Sequence, residues 1–454
     1  PASKLLPMAE QGSNNNSAPT SSWRFALRAL RHRNYRLFFS GQSISLIGTW
    51  MTRLATSWLV YRLTNSAFLL GLTGFASQVP AFVLGPVAGV WVDRLNRHRV
   101  LVVTQVLSMI QSFLLAALAL SHRITFHDIL WLSLFQGVIN AFDMPARQAF
   151  VTQMVETRDD LPNAIALNSS MVNASRLIGP SIAGIVIAAV GEGWCFFIDG
   201  ASYIAVIISL LLMRITVKQV TRKRESVVVE LREGWRYVST FKPIRAILLS
   251  LATISLFGMP YTVLLPIFAR DVLHGGAHTL GFLTGASGVG ALASAAYLAS
   301  RKTVLGLGKV IPTVTIIFGV SMIAFGLSHW LVVSMFVLLF AGFGMMQQMA
   351  ASNTILQTIV EEDKRGRVMA FYSMAFMGMA PFGSLMAGSV AARVGAPITV
   401  MICGCVCILG ALIFLSQLKD IRAMIRPIYV KLGILPEMAL GVQQASTLQS
   451  GLER

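Results

Sequence analysis

The sequence predicts an all-α membrane protein of twelve transmembrane helices in two pseudo-repeated six-helix bundles. Three observations predict it. Hydrophobic residues make up 55% of the 454 residues and charged residues only 12%, too few ionised groups to clothe a water-facing surface. The apolar residues fall in long runs, and in hydrocarbon only helices or closed barrels satisfy their backbone groups, with about 20 residues needed per helix. Basic residues cluster at alternate ends of those runs, as in a chain that crosses repeatedly.

In chain order, residues 1–22 are rich in Ser, Asn and Pro and read as a disordered tail; no cleavable signal peptide is legible, and residues 1–7 read as a remnant ahead of Met8. Residues 23–36 interleave Trp23, Phe25, Leu27 and Leu30 with Arg24, Arg28, Arg31, Arg33 and Arg36, which suits a basic interfacial helix on an anionic leaflet. Spans are expected near 37–62, 68–92, 100–121, 128–152, 164–190 and 194–213, an N-terminal bundle of 37–213. A linker of 214–243, alternating in charge and ending in Glu230, Arg232, Glu233, Trp235 and Arg236, is expected to hold a short amphipathic helix. The C-terminal bundle, 244–416, is expected to span near 244–269, 278–300, 309–328, 331–353, 368–392 and 397–416, with a tail over 417–454.

A net charge of +18 raises the question of nucleic acid, but the basic residues sit in short clusters at span ends and line no soluble face, so nucleic acid is not expected as a partner. Arg94, Arg97 and Arg99, then Arg214, Lys218, Arg222, Lys223 and Arg224, and later Lys364, Arg365 and Arg367 fall on one side, while loops 63–67, 191–193 and 329–330 are nearly free of basic residues. Both termini and the linker are therefore expected on the cytoplasmic side of a bacterial inner (plasma) membrane. Cys195, Cys403, Cys405 and Cys407 lie within apolar stretches and form no disulfide framework. A spacing of two on a helix spreads the last three around its axis, so no metal site is expected.

A shift of 204 residues superposes Gly179 on Gly383, Gly184 on Gly388, Gly191 on Gly395, Gln153 on Gln357 and Arg97 on Arg301. Two copies of a six-helix unit fit this, the plan of carriers that rock about a midplane site.

The loop after the second span contains Gly89, Asp93, Arg94, Asn96, Arg97 and Arg99. It resembles the signature of the major facilitator superfamily, Gly-x-x-x-Asp-Arg-x-Gly-x-Arg-Arg, with Asn96 where Gly is usual and tolerating the same left-handed turn. The resemblance implies the major facilitator fold and a cytoplasmic gate formed by Gly89, Asp93, Arg94, Arg97 and Arg99, in which Gly89 permits close helix approach and Asp93 meets a helix N-terminus of the other half. A purely topogenic basic loop is the alternative. Arg176 to Gly184 on the fifth span resembles the antiporter motif of exporting members, with Gly179, Pro180 and Gly184 matching and Ile185 in place of a terminal Gly; its other reading is helix packing. The run Phe142 to Phe150, with Asn163 and Ala164, is similar to the exporter branch that includes enterobactin exporters and macrolide efflux proteins, over most of residues 30–415.

Ionisable groups inside spans are expensive and mark function. Arg53, Asp143, Arg147, Arg176 and Asp199 are the expected charge cluster; Asp143 and Arg147, four apart, share a helix face, and Arg176 lies at a depth from which it reaches Asp143. Asp143 reads either as a proton-coupling carboxylate or as a static salt bridge, and Asp199, near the outer part of the sixth span, either as a second coupling group or as an interfacial cap. Gln42, Ser45, Gln78, Gln136, Asn140, Asn168, Asn173, Gln347, Gln348 and Asn353 are expected to furnish a cargo cavity or else to join helices. Met345, Met346, Met349, Met369, Met374, Met377, Met379 and Met386 suit a surface that repacks around varied amphiphiles.

No nucleotide-binding Gly-x-x-x-x-Gly-Lys run and no hydrolytic constellation is present, so neither an enzyme nor a cofactor is expected. The sequence points to a secondary active transporter, a monomer among membrane lipids, that exports a small organic or amphiphilic molecule by alternating access in exchange for protons. A lipid or lysolipid flippase of the same fold is the alternative, and a non-transporting receptor or scaffold a remote one.

Overall fold

The structure, a computed structural model, describes residues 27–214, 227–301 and 303–435. Twelve long helices cross it: α1 (Arg33–Thr64), α2 (Ala67–Arg94), α3 (Arg97–Leu120), α4 (Phe126–Met154), α5 (Leu161–Val190) and α6 (Glu192–Leu211), then α7 (Lys242–Val272), α8 (Ala277–Ser300), α9 (Leu307–Leu327), α10 (Leu331–Ile359), α11 (Glu362–Val394) and α12 (Ala396–Ser416). Ten are long and apolar enough to cross a membrane by length and composition. The others, α1 and α4, are as long but carry Arg33, Arg36, Arg53 and Arg62, or Asp128, Asp143 and Arg147. An even number of crossings puts both described ends on one face, here the terminal face; the other is the distal face.

The junctions show why the helices stop where they do. Ser66 accepts the amide of Leu69, Asn96 accepts that of Arg99, and Thr125 with Asp128 closes a capping box, each satisfying donors that a helix start leaves open. Asn96 has φ −70° and extended backbone, so the left-handed turn expected of it is not formed; it serves instead as the N-cap of α3. Gly191 and Gly395 have φ +93° and +86°, a conformation that favours glycine, and reverse the chain between α5 and α6 and between α11 and α12.

Within the first six helices α1 packs on α5 and α6, α2 on α4, and α3 on α4 and α6; within the second six α8 packs on α10, and α9 on α10 and α12. The halves meet along α2 with α11 and α5 with α8. The glycine repeat has a structural meaning. A Cβ on Gly179 would meet Trp50 and Ile47 of α1, and one on Gly383 would meet Leu256 and Pro260 of α7. A Cβ on Gly184 would meet Ala277 and Gly281 of α8, and one on Gly388 would meet Ala67 and Gly71 of α2. Equivalent glycines therefore make equivalent contacts, one inside each half and one across the seam.

Exposed Ile44, Val103, Ile110, Leu249, Val320, Val332 and Leu409 face outward, as lipid requires, and exposed Trp131, Trp194 and Trp330 stand toward the distal ends of α4, α6 and α10, where amphipathic rings suit an interface. On the terminal face the described part of the 23–36 segment is a short turn followed by the start of α1. Arg28–Arg31 is a single 3-10 turn, clamped to the α4–α5 corner by Asp160, whose carboxylate meets Arg28 (3.3 Å), Arg31 (2.6 Å) and His32 (2.8 Å). His32 first, then Thr157 and Arg31, hold that carboxyl at about 2, below the usual carboxylate range. Trp23, Arg24 and Phe25 lie outside the described residues, as do 1–22, most of the linker before Val227, and the tail beyond 435. The helix Val227–Thr240 sets Glu233 2.8 Å from Arg367 and Trp235 against Phe371, docking on the terminal end of α11.

Candidate functional site

The polar centre is organised by α3. Thr104, Gln105, Ser108, Gln111 and Ser112 are all buried, and their spacing places them on one face of the helix, turned toward α4 and α6. Toward α4, the Thr104 hydroxyl and the Gln105 amide converge on Asp143 Oδ1 at 2.9 and 2.8 Å, and Arg147 pairs with Oδ2. Asp143 is 4% exposed, and its charge is met by three donors, one of them the Arg147 cation, the condition for keeping a carboxylate in an apolar interior. Toward α6, Ser112 donates to Asp199 Oδ2 at 3.0 Å. Asp199 is 2% exposed. It is the eighth residue of α6 and packs between α1 and α3, so it is not an interfacial cap.

Asp199 differs from Asp143 in one respect. Its Oδ1 makes no hydrogen bond of good geometry and neither does the hydroxyl of Thr52, although Thr52 and Thr49 stand close enough to donate to the carboxylate. On its other side is Gly48, where a Cβ would fall 2.8 Å from Oδ1 and 2.9 Å from the Asp199 Cα. Only the bare backbone at Gly48 lets α1 approach α6 this closely.

Arg176 does not join Asp143. Its guanidinium lies 5.6 Å from the centre of the Trp50 ring, and that of Arg53 lies 4.8 Å from the same ring. The expected cluster is thus three parts, Asp143 with Arg147 on α4, Arg53 with Arg176 around Trp50 on α1 and α5, and Asp199 with Ser112 between α6 and α3. The packing accounts for the Trp50 group: Gly179, one turn beyond Arg176, brings α5 against the Trp50 Cβ of α1.

Many of the expected cavity amides join helices. Gln347 accepts Ser294 at 2.9 Å, Gln348 donates to Ser250 at 3.2 Å, and Gln136 donates to Ser108 and Asn140 at 3.2 Å. Gln42 is buried in α1. Gln78 and Asn173 donate to Gly74 and Ser169 on their own helices, and Asn353 accepts Gln357. Met345 is buried, whereas Met374, Met377 and Met379 are exposed.

The two faces of the molecule differ. Near the distal face the halves touch backbone to backbone: a Cβ on Gly184 would lie 2.9 Å from the Ala277 carbonyl oxygen, and one on Gly388 2.7 Å from that of Ala67. Toward the terminal face, Cβ atoms on Gly85 and Gly89 would meet nothing within 4 Å, so Gly89 makes no close helix approach here. Arg94 and Arg99 are exposed and Arg97 opens α3; the Asp93 side chain lies outside the described residues.

Two features escaped the sequence reading. At the distal ends of α1 and α7, Tyr61 donates to Asp271, and Arg270 donates to Asn65 at 2.7 Å, a polar latch between the halves. The adjacent ionic pair Arg270-Asp271 closing an apolar span was its signal. Second, α7 and α11 contain π-helical turns at Ile254–Gly258, Phe268–Val272 and Met374–Gly378, and the Ser255 hydroxyl of one donates to the Phe376 carbonyl of another. Widened turns of this kind recur at functional sites, and nothing in composition marks them.

The comparisons with known proteins agree with this architecture. A family model described as "Transmembrane secretion effector" matches residues 24–427. The chain is 24% identical over 354 residues to the staphyloferrin A transporter of Staphylococcus aureus, covering 77% of this chain and 88% of that protein. It is 23% identical over 390 residues to the multidrug efflux pump Tap of Mycolicibacterium fortuitum, with 84% and 95% covered, and 25% identical over 357 residues to the enterobactin exporter EntS of Shigella boydii, with 78% and 84% covered. In fold it is similar to a bacterial homologue of the iron transporter ferroportin, with a TM-score of 0.67, 15% identity and 85% and 98% of the two chains covered. The same holds for a bacterial homologue of the lysosomal transporter Spinster, with a TM-score of 0.66, 13% identity and 85% and 96% covered. Twelve helices in two glycine-matched halves, an interior polar centre and a family match over nearly the whole chain lead to one conclusion: this is a multi-pass membrane transporter belonging to the transmembrane secretion effector family of the major facilitator superfamily.

Proposed function

We propose that the chain exports a small organic or amphiphilic molecule across a bacterial inner membrane by alternating access, driven by proton antiport. The observation that carries this reading is the contrast between faces: glycine-to-backbone seams near the distal face, and open space at Gly85 and Gly89 toward the terminal face. The Lys and Arg clusters at the span ends of the terminal face orient that face to the cytoplasm, so the described state receives cargo from inside. Rocking the halves about the polar centre would open the seams and bring the Gly89 ends together. Relatives named for siderophore, multidrug and macrolide transport support an organic cargo.

For proton coupling the geometry favours Asp199 over Asp143. Every oxygen of Asp143 is engaged by donors, so a proton there must displace an existing bond. Asp199 makes no ion pair among the described residues, and the hydroxyls of Thr52 and Thr49 stand by its carboxylate; a proton there displaces no salt bridge. Binding and loss of that proton change how α1 and α6 hold together. The test is flux in proteoliposomes with imposed pH gradients of either sign, using erythromycin, a catecholate siderophore and a lysophospholipid as cargoes. Asp199→Asn should abolish gradient-driven movement while exchange down the cargo's own gradient persists; full gradient-driven export by that variant rejects the role.

A further inference from the structure

Two arginines on facing helices share one indole ring. Arg53 and Arg176 lie 4.8 and 5.6 Å from the Trp50 centroid, and neither guanidinium is within ion-pairing distance of a carboxylate among the described residues. The charged neighbours of Arg53 are Arg176 and, at longer range, Asp199. The Arg53 side chain has surface left uncovered by neighbouring side chains and Trp50 and Arg176 are half-buried, although all three sit well inside their helices and Arg53 is enclosed by surrounding protein. Arg176 also lies within electrostatic range of Tyr261 on α7, which places the group where the halves face one another. Two like charges near the bilayer centre, with one distant carboxylate between them, are stabilised by the ring faces but left short of negative charge. The other interior arginine, Arg147, has its carboxylate, so the deficit is local.

We propose that Arg53, Trp50 and Arg176 form an anion-recognition site between the halves, and that the cargo carries a carboxylate or another anionic group on a flat apolar body. The guanidiniums supply planar, always charged donors for the anion, and their planes, held against the indole, supply a flat surface on which the body stacks. This rests on the transport reading above and narrows it to a cargo class. A soluble organic anion and an anionic lipid headgroup share this chemistry.

The test uses the full chain in neutral-detergent micelles, dialysed against 1-naphthoate, 1-naphthamide and 1-naphthylmethylamine with protein-free micelles as blank. Naphthoate should bind at least tenfold more tightly than either other probe. Arg53→Gln and Arg176→Gln should each weaken naphthoate about fivefold or more without changing naphthamide, and Arg53→Lys should restore part of the loss. Size-exclusion profiles and melting curves identify any variant that has merely misfolded. Displacement of naphthoate by lysophosphatidylglycerol at lower concentration than by soluble carboxylates assigns the anion to a lipid. Equal binding of the three probes, or naphthoate affinity unchanged in both folded Gln variants, overturns the proposal. The transport reading fails separately: naphthoate binding without flux of any cargo removes export and leaves the site, whereas flux of a cationic dye undiminished by Arg53→Gln and Arg176→Gln together, with no preference for naphthoate, removes the site and leaves export.

Discussion

Valine at Gly184 and valine at Gly89 should move the molecule in opposite directions. A Cβ on Gly184 falls 2.9 Å from the Ala277 carbonyl oxygen and 3.0 Å from the Gly281 Cα, where ordinary contact begins at 3.4 Å. The obstacles are backbone atoms of α8, which cannot rotate aside, so α5 and α8 must part by about half an ångström before the methyl groups of valine are counted. Overpacking of this kind costs ~1–3 kcal/mol, a factor of about 5–150 between two packings. A distally open state populated at about 1% would rise to between about 5% and 60%. At Gly89 a Cβ meets nothing within 4 Å, so valine costs nothing in the described state; its cost falls on the state in which the terminal ends close. The assay is the distance between spin labels on His122→Cys and His329→Cys, both exposed on distal loops of opposite halves, with the four native cysteines replaced. Gly184→Val should add a longer distance and Gly89→Val should remove any such component. Gly179→Ala, which crowds Trp50 within one half, should lower the melting temperature and leave the distances alone. Shifts in the same direction at Gly184 and Gly89, or none in folded protein, would refute rocking about these seams.

The distal latch makes the same measurement informative at side chains. Tyr61→Phe or Asp271→Ala removes a bond present only while the halves are together, worth ~1 kcal/mol or somewhat more for a charged acceptor, so the longer distance should grow about fivefold to tenfold; an unchanged distribution would show that the latch does not hold the face. Asp143→Ala strands the Gln105 amide and the Arg147 guanidinium. Loss of one partner from a buried pair costs ~3–5 kcal/mol, toward the lower end here because the Arg147 side chain is 24% exposed. A melting temperature in detergent equal to that of the wild type would contradict the described network. Asp160 gives a pH dependence. Its carboxyl titrates at about 2 in the folded chain, below an unfolded value near ~4, so its contribution is full above the latter and fades as pH falls toward the former. Amide exchange over Arg28–Tyr35 should accelerate only in that acid range, whereas Asp160→Asn should accelerate it at neutral pH; protection retained in that variant would mean the clamp lies elsewhere.

The rods were legible because lipid imposes a coarse rule, about 20 apolar residues per crossing, and α12 satisfies it with Thr399 and Ser416 as its polar residues. Even α1, with Arg53 in its middle, was legible as one run between basic ends. The glycine repeat was legible too, since Gly179 and Gly383 had to meet equivalent neighbours if the halves were copies. The partnership of Arg176 was not, because depth along α5 is readable from sequence but azimuth toward α4 or α1 depends on how Gly179 seats against Trp50. The Tyr61 to Asp271 bond joins residues in different halves, and only the crossing of α1 with α7 brings them together. The role of Asn96 was misread for a local reason: a side chain that tolerates a left-handed turn is also a good N-cap, and the start of α3 at Arg97 decided between them.

The interior charges lie on one half and the flexible backbone on the other. Arg53, Asp143, Arg147, Arg176 and Asp199 all belong to α1–α6, while the π-helical turns lie in α7 and α11. On the proposed mechanism this division matters, because a buried charge is tolerable only if its surroundings keep their geometry, whereas a gate must change geometry cheaply. The helix that connects the two tasks is α1. It carries Gly48 against Asp199, then Trp50 and Arg53 at the inferred anion site, and then Tyr61 at the latch. Arg53 and Tyr61 are eight residues apart, about 12 Å along a helix at ~1.5 Å per residue. A rigid rod of that length transmits a tilt with little loss. Cargo or proton binding that shifts α1 against α6 is therefore felt at the Asp271 contact without any chain of intervening side chains, and the bistable element is the packing of α1 itself.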